Sequence, residues 1–400
     1  MFEGHYHVIF SGERGPFPFD PGFDIRSVAA LAKSIPSHSW EFGTASETLL
    51  ELYDPDISVF GSSPFSVTPQ YLRTHTGQIQ ALEYAKSVIT LGTGVNGLAD
   101  GDGAVGDPAS LGVSAVLLSD YLTGGDGAPY GAAADGEVDY IINDAPRWTN
   151  GAISHRANYA ELWADFVYMA PPFLAYYAVH TSNLTLLQAT VEQCGLYRDV
   201  LQSLVSDGLW EHIIGPNSPD HGLWSTGNAW AAAGMTRVLA TVKKAPKSLF
   251  TSAKDAQWKG DAIDSLTTWI KEILDGAIDS PQESGLLRNY LDDVSGDGHG
   301  FGEISGSSLL ASVAYRMAVL RPDVFVNPYG GNGKYLDFAE GIRTVLGQDD
   351  HITSNGTATP AVNPLGWGDT TPFTAGSPEG QNFVVLLYVA WRDCIKAGIC

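Results

Sequence analysis

Helical periodicity runs through almost the whole chain and limits what it can fold into. Apolar residues recur at helical spacing in segments such as SVAALAKSI, LGVSAVLLSDYL, NLTLLQATVEQCGLYRDVL and QNFVVLLYVAWRDC, with no comparable run of alternating strands. Between the helices lie loops rich in Gly, Asp, Asn and Pro, such as GTGVNGLADGDGAVGDP. The sequence therefore predicts an all-α protein with long connections.

The length of the chain suggests how these helices are arranged. The 400 residues divide into six helical hairpins of roughly 67 residues, each with two helices and two loops of common length. Six hairpins closed into a ring form an (α/α)6 barrel, a six-hairpin toroid whose inner helices are buried on both sides and whose loops gather around one open end. We predict one such domain over residues 1–400. An open solenoid remains an alternative on periodicity alone.

The net charge excludes several kinds of partner. The chain has 45 Asp and Glu residues against 22 Lys and Arg residues, a formal net charge of −23, which repels nucleic acid and anionic membranes. A long polyanion is repelled as well, so we expect any acidic substrate to be a short oligosaccharide held by local contacts. No run of about 18 apolar residues is free of charges and proline breaks, which argues against a transmembrane helix. The oligomeric state stays open.

Several local features bear on the location of the protein. The start, MFEGHYHVIF, has no basic region followed by an apolar one and predicts no signal peptide. Cys394 and Cys400 are spaced for a small disulfide in an oxidising compartment, and Asn183 and Asn355 begin glycosylation sequons. Together with the acidic composition, these features favour a secreted protein.

One carboxylate stands in an apolar segment. Residues 159–179, YAELWADFVYMAPPFLAYYAV, are apolar almost all round and predict a buried helix that carries Asp165. Burying an ionised carboxylate is costly unless it is paired or protonated, so we expect a raised pKa and a role in proton transfer. The alternative is a structural aspartate satisfied by backbone amides or a helix terminus.

Other candidate residues are spread along the chain. Asp107 precedes a proline and an apolar run, which is typical of a helix N-cap, although an N-cap at the mouth of a toroid still faces the cavity. His155 and His212 lie beside apolar segments, and a lone histidine is more often a surface or hydrogen-bonded residue than a catalytic one. Trp224 and Trp230 flank STGNA and predict either core packing or a sugar-stacking wall.

Familiar metal-binding motifs are missing. The segment from Asp100 to Asp107 approaches a calcium loop but lacks the fifth ligand and the closing glutamate. The sequence contains no CxxC pair or His/Cys cluster, no GxSxG and no HExxH. We therefore expect neither a metal nor a cofactor.

Taken in order, several motifs resemble those of the unsaturated rhamnogalacturonyl hydrolases, glycoside hydrolase family 105. The motifs, from about Asp107 to Asp393, are GDPASLGVSAVLLSDYLTGG, YIINDAPRWTNGAISHR, ELWADFVYMAPPFLAYYA, GLWEHI, GLWSTGNAWAAAGMTRVL, GEISGSSLLASVAYRM and SPEGQNFVVLLYVAWRD. Residues 1–100 match only through SWEFGTASETLLELY. The resemblance implies an (α/α)6 barrel that removes a 4,5-unsaturated uronic acid from the non-reducing end of lyase-generated oligosaccharides.

The resemblance also implies roles for individual residues. It makes Asp165 the general acid and base and Asp107 a second active-site carboxylate. The positions that it assigns to substrate binding are His155, Arg156 in place of the usual lysine, His212, Trp224, Thr226 and Trp230. The chain departs from the family pattern at Thr226, where the W-x-R-G-N-G-W motif has an arginine, and threonine supplies neither its charge nor its bidentate fork. We therefore expect weak activity on a rhamnose-linked substrate.

The expected reaction is hydration of a vinyl ether. Asp165 protonates C4 of the unsaturated sugar, the ionised Asp165 or Asp107 beside it helps water add at C5, and the hemiketal opens and releases the remaining saccharide. Three alternatives stay open: an inverting glycosidase in which Asp165 and Asp107 flank a saturated uronide, a non-catalytic glycan-binding toroid, and a polysaccharide lyase. The ultraviolet absorbance of the unsaturated uronate distinguishes them, because the hydrolase destroys the double bond and a lyase creates it.

Overall fold

The computed structural model describes residues 15–62, 64–65, 79–295, 299–326, 333–348 and 351–400. The segment MFEGHYHVIF, from which the sequence predicts no signal peptide, lies outside these residues. Regular structure in the described residues is nearly all helical, with two short two-stranded ribbons. The prediction of an all-α fold is confirmed.

Fourteen α-helices and four strands are found in the described part of the chain. The helices are α1 (Ile25–Ser34), α2 (Ser39–Tyr53), α3 (Gln80–Val88), α4 (Gly106–Ala109), α5 (Gly112–Tyr121), α6 (Ala128–Asp139), α7 (Phe166–His180), α8 (Leu184–Leu201), α9 (Ser225–Lys244), α10 (Ala253–Asp279), α11 (Ile304–Leu320), α12 (Pro322–Phe325), α13 (Gly333–Gln348) and α14 (Pro378–Lys396). The strands are β1 (Leu162–Trp163), β2 (Ile213–Ile214), β3 (Gln282–Glu283) and β4 (Leu286–Leu287). Strand β1 pairs antiparallel with β2, and β3 with β4.

The helices form two concentric rings. In the inner ring, α2 packs against the α4 and α5 pair, which is followed in turn by α7, α9, α11 and α14, and α14 returns to α2. Six outer helices cover the inner ones: α3 lies on α2, α6 on α5, α8 on α7, α10 on α9, α13 on α11, and α1 on α14. The contact between α14 and α2 closes the ring, so the structure is the predicted (α/α)6 barrel and not an open solenoid. That residues 1–400 form one domain stays a prediction.

Close contacts in the inner ring depend on small residues. Every residue of α7 from Phe166 to Tyr176 is buried, as expected for a helix covered on all sides. A Cβ on Gly112 of α5 would lie 2.2 Å from the Phe173 ring, and a Cβ on Gly234 of α9 would lie 2.1 Å from the Val167 carbonyl oxygen. Glycine at these two positions therefore allows α5 and α9 to approach α7.

Two buried arginines connect four inner helices towards their C-terminal ends. Arg237 of α9 donates to Glu47 and Glu51 of α2, the first bond being 2.8 Å long. Arg316 of α11 donates to Glu51 at 2.6 Å and to Asp393 of α14 at 2.7 Å. These five residues, here called the arginine network, pair charges that would be very costly to bury alone.

The cysteines and the hydropathy of the helices complete this description. Cys394 and Cys400 form a disulfide, with their Cα atoms 5.4 Å apart, and this bond ties the end of α14 to the last residue. Cys194 is a buried free thiol, and burial raises its pKa to about 12.

None of the helices in the described ranges is long and apolar enough to cross a membrane.

The arginine network yields a stability prediction. Arg316→Met removes one of the two guanidinium partners of Glu51 and one of the two of Asp393, and we expect the free energy of unfolding to fall by about 3–5 kcal/mol. Lys271→Met is the control, because Lys271 pairs with Asp275 within one helix and is 40% exposed, so its loss should cost less than about 1 kcal/mol. Urea titrations followed by circular dichroism measure both values. Equal losses for the two variants would contradict a structural role for the network.

Candidate active site

A pocket of about 220 Å³ opens among the loops at one end of the barrel. Residues at the starts of α2, α4, α7, α9 and α14 reach it, so several inner helices direct their N-terminal ends towards this space. Its polar and aromatic lining consists of Asp102, Asp107, Asp165, Glu379, Arg156, His38, His155, His212, Trp40, Trp163, Trp224 and Trp367. The pocket therefore combines acidic groups with flat aromatic surfaces, which suits a sugar.

Asp165 stands before α7 and not inside it, which corrects the prediction of a carboxylate within the buried helix. The helix begins at Phe166, because the preceding residues are drawn into β1, where Leu162 and Trp163 pair with β2. The Asp165 side chain caps no backbone amide, lines the pocket and is 15% exposed. The alternative of an aspartate satisfied by a helix terminus is not what the structure shows.

His212 contacts two carboxylates at once. Its Nε2 lies 3.2 Å from Asp165 Oδ2, an ion-pair distance without the alignment of a hydrogen bond, and its Nδ1 lies 2.9 Å from Asp220 Oδ2. Burial opposes a charge on the ring, but the contacts with Asp165 and Asp220 outweigh it and raise the pKa of His212. The two carboxylates therefore favour the protonated form of the imidazole beside Asp165.

Asp220 is itself held in place. Tyr290 donates its hydroxyl proton to Asp220 Oδ2 at 2.6 Å, and the Gly222 amide donates to Oδ1 at 3.0 Å. Burial raises the pKa of Asp220, but the hydrogen bonds from His212 and Tyr290 bring the net pKa below its ordinary value. An ionised Asp220 thus fixes the orientation of His212, and we call the chain Tyr290, Asp220, His212 and Asp165 the histidine relay.

Asp107 lies in the first turn of α4, where Val105 occupies the N-cap position, so its predicted capping role is corrected. The side chain is 13% exposed and lines the pocket, with Oδ1 3.9 Å from His155 Nε2. Burial, supported by the negative charge of Asp165, raises the pKa of Asp107 to about 8. Burial lowers the pKa of His155 to about 3. At neutral pH the pair therefore consists of a protonated carboxyl and a neutral imidazole.

Aromatic rings and one arginine surround these groups. The Trp163 ring stacks on His155 with centroids 4.7 Å apart, and Trp367 meets it edge-on at 5.2 Å. Trp224 lies 4.4 Å from the His212 ring. Arg156 places its guanidinium 6.0 Å from the Trp163 ring centre and donates to the Asp102 carbonyl at 3.1 Å. Arg156 supplies a permanent positive charge to an otherwise acidic wall.

Two residues predicted to bind substrate lie away from the pocket. Trp230 is fully buried and packs on Tyr168, with ring centroids 4.5 Å apart. Thr226 is also fully buried, with its hydroxyl 3.4 Å from Glu303 Oε2. The physical reason is the helix itself: Trp224 precedes α9, whereas six residues further on the chain has advanced about 9 Å into the barrel. Of the two tryptophans predicted to form a wall, only Trp224 reaches the pocket, and its role in stacking on a sugar stays a prediction.

The structure adds pocket residues that sequence reasoning missed. Trp40, Trp367 and Glu379 line the pocket, and Asp220 and Tyr290 complete the histidine relay. A weak signal existed for Glu379, which stands in the first turn of a helix that begins with Ser-Pro. Asp220 lies in a loop of Gly, Pro, Asn and Ser and carries no such signal. In the described part of the chain, no three His, Cys, Asp or Glu side chains converge into a metal site.

Carboxyl groups and tryptophan rings at the open end of a closed (α/α)6 barrel are typical of a carbohydrate-active protein. The model of Glycosyl Hydrolase Family 88 matches residues 111–312, and the chain belongs to this family. The resemblance noted in the sequence to the unsaturated uronyl hydrolases is thus confirmed at the level of the family.

Individual relatives agree with this assignment. The unsaturated rhamnogalacturonyl hydrolase YesR of Bacillus subtilis (strain 168) is 26% identical over 206 residues, which make up 49% of this chain and 54% of that protein, so the match spans about half of each. The family 105 glycoside hydrolase of C. acetobutylicum ATCC 824 superposes with a TM-score of 0.65 at 15% identity, over 92% of this chain and 99% of that one. The unsaturated glucuronyl hydrolase of Bacillus sp. GL1 gives 0.56 at 14% identity, over 95% of both chains. At these identities the structures show the shared fold.

The raised pKa of Asp107 predicts a pH-dependent effect of Asp107→Asn on stability. The folded protein keeps the Asp107 proton up to about pH 8, whereas an ordinary aspartate releases it near 3.8. The folded state therefore binds more protons between these values, and the contribution of Asp107 to stability falls as the pH rises through this window. Asparagine does not ionise. The melting temperature of the variant relative to the wild type should increase from pH 4.5 to pH 8, measured by scanning calorimetry. A constant difference would show that Asp107 ionises normally.

Proposed function

We propose that this chain is a glycoside hydrolase that removes a 4,5-unsaturated uronic acid from the non-reducing end of short oligosaccharides by hydrating its double bond. The contacts of His212 with Asp165 and Asp220 at the pocket are the observation that carries the proposal. The names of two relatives, one acting on unsaturated rhamnogalacturonyl and one on unsaturated glucuronyl substrates, support the substrate class.

The first step needs a proton at a carbon atom. Asp165 delivers it to C4 of the unsaturated ring, and the electron pair of the double bond forms the new C–H bond, leaving an oxocarbenium ion at C5. His212, 3.2 Å from Asp165, supplies the proton, because its raised pKa keeps the imidazole charged at a pH where an isolated ring is neutral. Asp220 holds the ring in position during this exchange.

The second step adds water and releases the saccharide. The Asp165 carboxylate, now ionised, takes a proton from a water molecule whose oxygen bonds to C5, which gives a hemiketal. Opening of the hemiketal ring leaves a ketone at C5 and a hemiacetal at C1, and the hemiacetal breaks down to an aldehyde and the free hydroxyl of the leaving sugar. One water is consumed, and the proton taken up at C4 is regained at Asp165.

The electrostatics of the pocket fit an anionic sugar in spite of the acidic chain. The N-terminal ends of the inner helices carry partial positive charges that favour an anion. Arg156 adds a full positive charge, and Asp107 is neutral at pH 7 because burial raises its pKa to about 8. Binding of the uronate should weaken as the pH rises above that value. We further propose that the protein works outside the cytoplasm, where the disulfide between Cys394 and Cys400 persists.

Replacement of Asp165 provides a direct test. Asp165→Asn keeps the shape of the side chain but cannot deliver the proton, so kcat on an unsaturated uronide should fall by about 10²–10⁴-fold. The assay is the loss of ultraviolet absorbance of the unsaturated ring, measured on lyase-digested pectin, ulvan and glycosaminoglycan fragments. Circular dichroism should show an unchanged fold.

Asp120→Asn is the matched control, because Asp120 faces His180 at 3.7 Å in a similar aspartate and histidine pair outside the pocket. It should leave kcat unchanged. Cleavage of a saturated aryl uronide would support an inverting glycosidase instead, a rise in absorbance on intact polysaccharide would support a lyase, and binding without turnover would support a glycan-binding toroid.

The threonine at position 226, where the family pattern has an arginine, predicts which substrate the protein prefers. Because threonine replaces the arginine of the family pattern and is buried against Glu303, it offers no charge to the substrate. We expect kcat/KM on an unsaturated rhamnose-linked disaccharide to be lower than on another unsaturated uronide of the same panel. A rhamnose-linked substrate that proves the best of the panel would show that Thr226 does not set specificity.

A further inference from the structure

Glu379 is a pocket residue that the reaction as described does not use. It stands in the first turn of α14, lines the pocket and is only 3% exposed. Its Oε1 accepts a hydrogen bond of 3.1 Å from Trp40 Nε1 of α2, whereas its Oε2 is buried without a hydrogen-bond partner in the described structure. A buried carboxyl oxygen without a partner is costly, so its presence beside a pocket calls for an explanation.

Two other buried glutamates have both carboxylate oxygens hydrogen-bonded, whereas Glu137, outside the pocket, leaves its Oε1 without a partner among the described residues. Glu303, at the start of α11, accepts from the amides of Ser305, Gly306 and Val362. Glu161 is equally buried and accepts from one indole and two backbone amides. Both therefore use both oxygens, and Glu379 differs from them in leaving one oxygen unused at the wall of a cavity.

The surroundings of Glu379 disfavour a charge on it. Burial, reinforced by the negative charges of Asp165, Glu41 and Glu303, raises its pKa well above the ordinary range, and the bond from Trp40 opposes this only in part. A neutral carboxyl is a hydrogen-bond donor as well as an acceptor, and an anionic sugar brings acceptors into the pocket.

We propose that Glu379 is a substrate-binding residue whose Oε2 hydroxyl donates a hydrogen bond to the carboxylate of the bound uronate. The proposal rests on the proposed function and specifies how the acidic group of that substrate is recognised. Trp40 fixes the carboxyl by occupying Oε1, so that the proton is held on Oε2, which has no partner within the described part of the protein. Arg156, which is more exposed, then acts nearer the mouth.

A pair of variants tests this assignment. Glu379→Gln keeps an acceptor for Trp40 and presents an amide N–H where the hydroxyl was, so KM for the unsaturated uronide should stay within about threefold of the wild type. Glu379→Leu has no donor, and KM should rise by about 10–100-fold while kcat changes little. For the methyl ester of the same sugar, whose acceptor is uncharged, Glu379→Leu should raise KM less than about fivefold.

Three results would overturn the inference. These are an equal rise in KM for the acid and the ester in Glu379→Leu, a Glu379→Gln variant that is folded yet as impaired as Glu379→Leu, or a loss of melting temperature with KM unchanged. The last result would leave Glu379 as a link between α2 and α14, and Trp40→Phe should then lower the melting temperature equally. If the wild type turns over neither sugar, the proposed function fails, and calorimetric Kd values for the acid still decide the role of Glu379.

Discussion

The arginine network is the interaction on which the closed ring depends. Arg237 and Arg316 stand on α9 and α11, and their carboxylate partners stand on α2 and α14, the first and last inner helices of the chain. Apolar packing between helices is not directional, whereas a buried guanidinium must meet its carboxylates at defined positions. Pairing across helices that are so distant in sequence therefore fixes their positions across the ring, and the pocket is assembled from the opposite ends of the same helices.

Buried carboxylates are paired with arginines at one end of the inner ring, whereas buried carboxyls at the pocket end are not. In the arginine network, Glu51 accepts from two guanidinium groups, so little electrostatic cost remains. In the pocket, Asp107 and Glu379 are buried without such partners, and burial raises the pKa of each. A folded protein that leaves carboxyls in this state gives up stability, which is expected where their chemistry is used.

The two buried histidines of the pocket have pKa values shifted in opposite directions because their surroundings differ. Both histidines are buried, yet His212 lies between Asp165 and Asp220 and its pKa is raised, whereas burial lowers the pKa of His155 to about 3. One imidazole can store a proton, and the other serves as a neutral surface stacked on Trp163. Residue type alone does not predict this division, because the sign of each shift depends on which carboxylates lie nearby.

Local pattern and motif order in the sequence were enough for the helical class, the buried helix α7, and the resemblance that brings Asp107, Asp165, His155 and His212 into one site. These features depend on periodicity and on short motifs, which are properties of neighbouring residues. Only the tertiary structure decided that Trp230 and Thr226 face the core, that Asp165 lies outside its helix, and that burial raises the pKa of Asp107. It also revealed the contacts of Tyr290 with Asp220, 70 residues apart, and of Trp40 with Glu379, 339 residues apart. Burial and charge pairing arise between segments that meet only when the ring closes, and a linear sequence does not contain those distances.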